Sequence, residues 1–306
     1  MRSTSAVSSP RNTAGHAVVK DWGWLDPFAN FFGAIVGGFY KIPGTHPLKT
    51  LLHGTWPLNH PLHPAVTDLT IGGYTAAVLV DVLYLVTRQP GLLYAADVLI
   101  IASFITSLVS IVSGLTDWNE TFEEERRTGM LHGLLMVVAS IGFVISIWLR
   151  LGGGIAQRDV AIWIAIAAWV VLIVSSYFGG EMVFAYGTEV NRQAWGEPPT
   201  KWERLEISAS SLADRKPVVG RTKSGFAVFV VQLDGKVYAM GNTCTHAGGP
   251  LNEGTWVGAD RCEIQCPWHA SRFCVKDAQV HGGPATFSEI RLETRTADGR
   301  VEVRAV

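Results

Sequence analysis

Cys244-Thr245-His246 and Cys266-Pro267-Trp268-His269 are the stretches on which the reading of this chain turns. Two Cys–His pairs recur, one as C-x-H and one as C-x-x-H, with 19 residues between them. Thiolates are soft anionic donors suited to iron–sulfur chemistry, and imidazoles are neutral. In one kind of 2Fe–2S centre two thiolates hold one iron and two imidazoles the other. Replacing two thiolates by imidazoles removes negative charge, so such a centre accepts an electron more readily than an all-cysteine one. On that pattern Cys244 and Cys266 take the inner iron, and His246 and His269 the outer. Zinc is the competing occupant, since Cys2His2 also suits it. Zinc fingers, however, use C-x2-4-C with H-x3-5-H spacing.

The flanks favour the cluster. Ala247-Gly248-Gly249-Pro250-Leu251 follows the first pair, and Gly282-Gly283-Pro284-Ala285 offers a third loop over the site. Glycines permit backbone conformations and close approaches closed to other residues. Ser271, two residues past His269, is a candidate hydroxyl donor to the cluster sulfurs. Cys262 and Cys274 read as free thiols, and His281 as a surface residue.

These stretches closely resemble the Rieske ferredoxin family. CTHAGGPL and CPWHASRF match its two ligand loops, and GGPA its proline loop. The resemblance spans residues 203–306 and implies a small antiparallel β sandwich carrying one Rieske 2Fe–2S cluster. Respiratory-type members bridge the ligand loops with a disulfide. Its two positions are Gly249 and Trp268 here, which implies the lower-potential ferredoxin type. Two positions depart from the pattern: Ala270 stands where Gly is usual, and Cys274 where an acidic or amide residue is common.

The rest of the chain is different in kind. Of 306 residues, 48% are apolar and 17% charged. The apolar excess is concentrated between residues 66 and 186. Four runs, 66–87, 92–114, 130–149 and 160–182, are each long enough to cross about 30 Å of hydrocarbon as a helix. A net charge of −1 gives no basis for nucleic-acid binding. The expected organisation is a disordered tail (1–20), an interfacial or re-entrant segment (21–65), a four-helix transmembrane domain (66–186), a linker (187–202) and the Rieske domain (203–306). The fold class is thus membrane α plus soluble β, a four-helix bundle followed by a β sandwich. The membrane half also resembles a four-helix bacterial membrane family of uncharacterised function. The resemblance rests on LLHGTW (51–56), residues 60–81, GLTDW (114–118), RTGMLHGLLM (127–136) and FGGEMVFAYGTEV (178–190).

Four crossings return the chain to its starting side, so the β domain shares a side with the 117–128 loop. Arg126, Arg127, Arg192 and Lys201 flank that side, against Arg88, Arg150 and Arg158 on the other. The asymmetry, with no export signal in the first 20 residues and no disulfide, favours a cytoplasmic β domain in the cell membrane. His60, His63, Asp68, Asp117, His132 and Glu181 all fall on that same side. Ionisable residues in membrane helices are functional candidates. The options are haem b on His63 and His132, a quinone pocket, a metal ion, or a structural polar network. The function expected is a membrane-anchored one-electron carrier in contact with lipid, its redox donor and acceptor unidentified. The alternative is a membrane oxidoreductase with a second site in the bundle. A complete Rieske oxygenase is not expected, because no further length remains for a mononuclear iron domain.

Overall fold

The computed structural model describes residues 13–258 and 262–306. It divides into two compact units. The helical unit comprises the chain up to Pro43 together with His63–Thr188. The head comprises Gly44–Leu62 and Glu189–Val306.

Helices α1 (Ala14–Val19), α2 (Asp26–Phe39) and α3 (His46–His53) precede the long ones. The bundle consists of α4 (Leu62–Thr87), α5 (Gly91–Trp118), α6 (Glu123–Gly152) and α7 (Ile155–Glu181), the last ending in a π-helical turn over Met182–Tyr186. All four are long and apolar enough to span a bilayer. They exceed the apolar runs at their ends. Three acids, Glu123, Glu124 and Glu125, begin α6, where negative charge complements the helix dipole but lowers local hydropathy. Small residues line the contact face of α5: Ala96, Ser103, Ser107, Ser110 and Ser113 are buried there. Ser103 and Ser113 donate their hydroxyls back to their own helix at Leu99 and Val109. Such residues let helices approach closely in an apolar surround.

Deep in the bundle the Arg150 side chain is 1% exposed and Asp81 0%. They pair through two hydrogen bonds. Arg150 also donates to Asp97 at 3.1 Å, and Asp97 accepts from Arg158. Arg150 therefore belongs to the interior of the bundle and not to its flank.

The polar N-terminal stretch is partly helical: α1 buries Val19, and its Gly15 N–H donates to Glu181 at 3.2 Å. The expected disordered tail otherwise falls on residues 1–12, outside the described residues. Helix α2 exposes Phe28, Phe31, Phe32 and Ile35 along one side. Its other side rests on α6. Arg127 grips Asp26 at 2.6 and 2.7 Å, and Arg126 donates to the Ala29 carbonyl.

In the head, six antiparallel strands run in the order β1-β10-β9-β4-β3-β2. They are β1 (Glu203–Ser208), β2 (Val218–Arg221), β3 (Ala227–Leu233), β4 (Lys236–Gly241), β9 (Arg291–Ala297) and β10 (Arg300–Ala305). A second sheet runs β5 (Thr255–Val257), β6 (Glu263–Gln265), β7 (Arg272–Cys274), β8 (Val280–Gly282). Strand β3 is buried on both faces. Val228 and Val230 point into one core with Leu205 and Val301. Phe229 and Val231 point into another with Met240, Ile264 and Phe273. Successive side chains alternate faces along a strand, so one segment serves both cores.

Two segments expected outside the head are part of it. Within Gly44–Leu62, Thr55 lies 2.9 Å from the carbonyl oxygens of both Gly283 and Ala285. Helix α3 ends at Gly54 (φ 85), where a Cβ would stand 1.9 Å from the His60 carbonyl. Within the expected linker, the Arg192 N–H donates to Thr245, and Pro199 accepts from Ala305.

Asp81→Ala would leave Arg150 buried without its counter-charge. The detergent-solubilised protein should lose about 3–5 kcal/mol of stability to denaturant. Asp159→Ala, which removes the exposed pair with Arg88, should change it little. Equal losses would refute the burial argument.

Candidate metal centre

The two Cys–His loops share one construction. In the first, the Cys244 N–H donates to the Gly249 carbonyl at 2.8 Å, and the Gly248 N–H returns to Cys244 at 2.9 Å. In the second, the Cys266 N–H donates to Ser271 at 2.8 Å, and the Ala270 N–H returns to Cys266 at 3.2 Å. The fifth residue of each turns left-handed, Gly248 with φ 84 and Ala270 with φ 61. The first loop lies between β4 and β5, and the second caps the β6–β7 hairpin.

These loops bring the four candidates together. The His246 and His269 rings lie 4.8 Å apart at 87°, and the thiols of Cys244 and Cys266 hydrogen-bond each other. The Cys266 thiol is drawn down to about 7 by the bond from Cys244 and by the N–H groups of Trp268 and His269. Cys244 is pushed well up by its bond to Cys266 and by burial. Burial, with His269 and His53 nearby, holds His246 well below the usual histidine range. It is therefore neutral, as a metal-ligating imidazole must be.

Two further observations test whether the residues fit a cluster. The Nδ1 of His246 is buried with no hydrogen-bond partner, which leaves its lone pair for a metal. Its Nε2 faces the Glu189 carboxylate at 4.0 Å, an outer-sphere partner of the kind that orients ligating histidines. At Gly249 a Cβ would stand 2.7 Å from the Cys266 sulfur, so the bare glycine leaves that sulfur room in this arrangement. The residues fit.

Supports around the loops come from distant sequence. Thr245 donates its N–H to the buried Glu289 carboxyl at 2.9 Å and its hydroxyl to Phe287 at 2.7 Å. Gln193 bridges Glu289 and the Thr243 carbonyl. Burial pushes Glu289 well above the usual carboxylate range. The Ser271 hydroxyl accepts the Ala285 N–H at 3.0 Å, pinning the proline loop to the second ligand loop and leaving its hydrogen to donate. At Gly283 (φ 86) a Cβ would stand 2.5 Å from Ser271 Cα. His53 is fully buried, close enough to His246 to act on it electrostatically. Glu289, Gln193, Thr55, His53 and Glu189 were not evident in the sequence. Three of them fall in stretches quoted above without an assigned role, His53 and Thr55 in LLHGTW and Glu189 in FGGEMVFAYGTEV.

The polar residues of the bundle separate. His63 and His132 meet, their rings 6.5 Å apart at 81°. Each presents Nδ1 to a helix carbonyl, His63 to Ser110 at 2.9 Å and His132 to Ser175 at 2.8 Å. A carbonyl only accepts, so both Nδ1 atoms carry hydrogen and both Nε2 lone pairs remain. Gly114 and Gly179 make room for these rings. Glu181 is engaged instead by Tyr177 and Gly15. Asp117 is buried, Asp68 is exposed, and the ring of His60, in the Gly44–Leu62 segment, bonds the neighbouring Pro61 carbonyl at 3.1 Å.

The Rieske [2Fe-2S] domain family matches residues 204–294. The ferredoxin component of a naphthalene 1,2-dioxygenase system from Pseudomonas putida is 33% identical over 88 residues, 28% of this chain and 78% of its own length. A corresponding ferredoxin component from Ralstonia sp is 36% identical over 98 residues, 31% of this chain and 86% of its own. The chain belongs to the Rieske [2Fe-2S] family. Its head is a Rieske 2Fe–2S electron-transfer domain. A family described as a predicted membrane protein (DUF2231) matches residues 59–192, which places the protein in a membrane and leaves LLHGTW outside the match. Among solved structures, the ferredoxin of carbazole 1,9a-dioxygenase from Nocardioides aromaticivorans IC177 is 26% identical at TM-score 0.31, over 34% of this chain and 97% of that one.

Ala270→Gly relieves a left-handed alanine and should raise the head's stability by up to ~1 kcal/mol, as measured by thermal unfolding. A loss would contradict the loop geometry. Glu289 carries a pH signature. Between its ordinary value near ~4.3 and its raised one, the folded state keeps a proton the unfolded state has lost. Stability from this group is therefore full below that window and falls as pH rises through it. Glu289→Gln should flatten the fall of the unfolding temperature with pH. An unchanged slope would contradict the raised carboxyl.

Proposed function

We propose that the protein is a membrane-anchored one-electron carrier, with Cys244 and Cys266 on the inner iron and His246 and His269 on the outer. The single observation that carries this reading is the buried, partnerless His246 Nδ1, on a ring 4.8 Å from that of His269 in the second ligand loop. When bound, the cluster takes up and releases one electron. The chain's residues do the rest. Neutral imidazoles supply lone pairs, backbone N–H groups point at the Cys266 sulfur, and Thr55 and Ser271 hold the proline loop over the site. Trp268, 44% exposed beside His269, is the route by which a partner would reach the centre. The ferredoxin components among its relatives suggest an oxygenase as electron acceptor.

Sidedness is part of the proposal. Arg150 is buried against Asp81 and does not count as a flanking charge. Arg126 and Arg127 then face Arg88 and Arg158 across the bundle, and Lys41, Arg192 and Lys201 tip the balance toward a cytoplasmic head.

One observation favours a second reading, a membrane oxidoreductase with haem b, a quinone or a metal in the bundle. His63 and His132 are oriented alike, each with Nδ1–H on a backbone carbonyl, as ligating histidines commonly are. A dithionite-reduced minus oxidised spectrum of the detergent-solubilised protein separates the carrier from an oxidoreductase with haem in the bundle. The carrier predicts broad, weak bleaching, unchanged by His132→Ala. Sharp bands lost in that variant would replace the carrier with the oxidoreductase.

A further inference from the structure

Cys262 and Cys274 have no place in the cluster, yet they lie together. Their sulfurs are 3.2 Å apart, and both side chains are more than nine-tenths buried. They stand at the base of the β6–β7 hairpin, where the Val275 N–H bonds the Cys262 carbonyl at 2.9 Å. Everything between them in sequence is that hairpin, including Cys266 and His269. Cys274 also opens a third loop built like the two ligand loops. Its N–H donates to Gln279 at 2.9 Å, the Ala278 N–H returns to it at 2.8 Å, and Ala278 has φ 63. In all three loops the backbone N–H two residues on points at the cysteine sulfur, from His246, Trp268 and Lys276.

We propose that Cys262 and Cys274 form a second redox couple, a dithiol that closes to a disulfide across the base of the ligand hairpin when it meets a small-molecule disulfide. The sulfurs need only close from contact to the ~2.05 Å of a disulfide bond, within reach of side-chain rotation. The sulfur of Cys262, as thiolate, bonds one sulfur of the oxidant and displaces the first small thiol. The sulfur of Cys274 then bonds that of Cys262 and displaces the second. Two electrons and two protons pass from the cysteines to the oxidant, which leaves as two thiols. Burial pushes the Cys274 thiol up to about 12, so Cys274 rests as a thiol and closure is slow. The functional consequence rests on the ligand assignment above. Cys266 and His269 leave the cluster only if their hairpin opens, and a staple at its base opposes that.

The test uses the full chain with its cluster, incubated with oxidised glutathione, acid-quenched, alkylated and digested with trypsin. Cleavage after Arg261, Arg272 and Lys276 yields fragments 262–272 and 273–276. The expected product joins them through Cys262 and Cys274, with Cys266 alkylated, and dithiothreitol abolishes it. Cys262→Ser should lose the cross-link and keep the iron content and visible spectrum. Iron loss to a chelator should slow by roughly tenfold in the stapled protein. Both cysteines alkylated after oxidant, or a glutathione adduct lingering on Cys262, would overturn the proposal. So would a copurifying non-iron metal that blocks oxidation, because Asp277 and His281 lie with Cys274 in a group whose ligand atoms are within 4.8 Å of one another. The cross-link is read without reference to the cluster. A missing cluster would thus fail the ligand assignment alone, and a missing cross-link the staple alone.

Discussion

The four proposed ligands come from two remote stretches that must converge within a few ångströms, and the head is organised by how that is done. Each stretch closes on itself through the same two backbone hydrogen bonds, cysteine N–H to the sixth residue and fifth-residue N–H back to cysteine. This closure aims each cysteine sulfur inward and holds backbone N–H groups around it. It also fixes what the sequence can vary. The fifth position must turn left-handed, which glycine does freely at 248 and alanine does at a cost at 270. At 249 the bare glycine lets the Cys266 sulfur occupy the space a Cβ would take.

The loops do not stand alone. Thr245 is held through its N–H, its hydroxyl and its carbonyl, by Glu289, Phe287 and Arg192 in turn. A buried carboxyl that is hydrogen-bonded on both oxygens is tolerable, whereas an unpaired one would not be. Thr55 does for the proline loop what Glu289 does for the first ligand loop. Both supports come from segments whose local sequence reads as something else, a short helix end and a strand approach. The bundle follows the same rule in a harsher solvent: the deeply buried Arg150 is matched by aspartates on α4 and α5.

Much of this was legible in the residues. Cys244, His246, Cys266 and His269 are recognisable because ligand type and short-range spacing carry the chemistry. The four long helices are recognisable because hydrocarbon thickness dictates an apolar length. Strand β3 shows as an apolar run over residues 227–231 because both its faces are buried there. Other features are invisible locally. Glu289 and Thr245 are joined across 44 residues, and Thr55 and Ala285 across 230. Nothing in FSEIRL or LLHGTW announces these contacts. The polar ends of α5 and α6 extend past the apolar runs because helix continuation there depends on charge and hydrogen bonding and not on hydropathy. The pattern put six polar candidates on one expected side of the membrane, and one of them, His60, belongs to the head. It could not tell that His63 and His132 meet while Glu181 turns to the N-terminal helix.

The central claim is that two imidazoles and two thiolates hold one cluster. Pulsed electron paramagnetic resonance of the reduced full-length protein tests it most directly, through nitrogen couplings to the unpaired spin. The account predicts two strongly coupled imidazole nitrogens, one of them lost when His246 is replaced by cysteine. A spectrum with no strongly coupled nitrogen, or a protein holding zinc and no reducible iron, would contradict it.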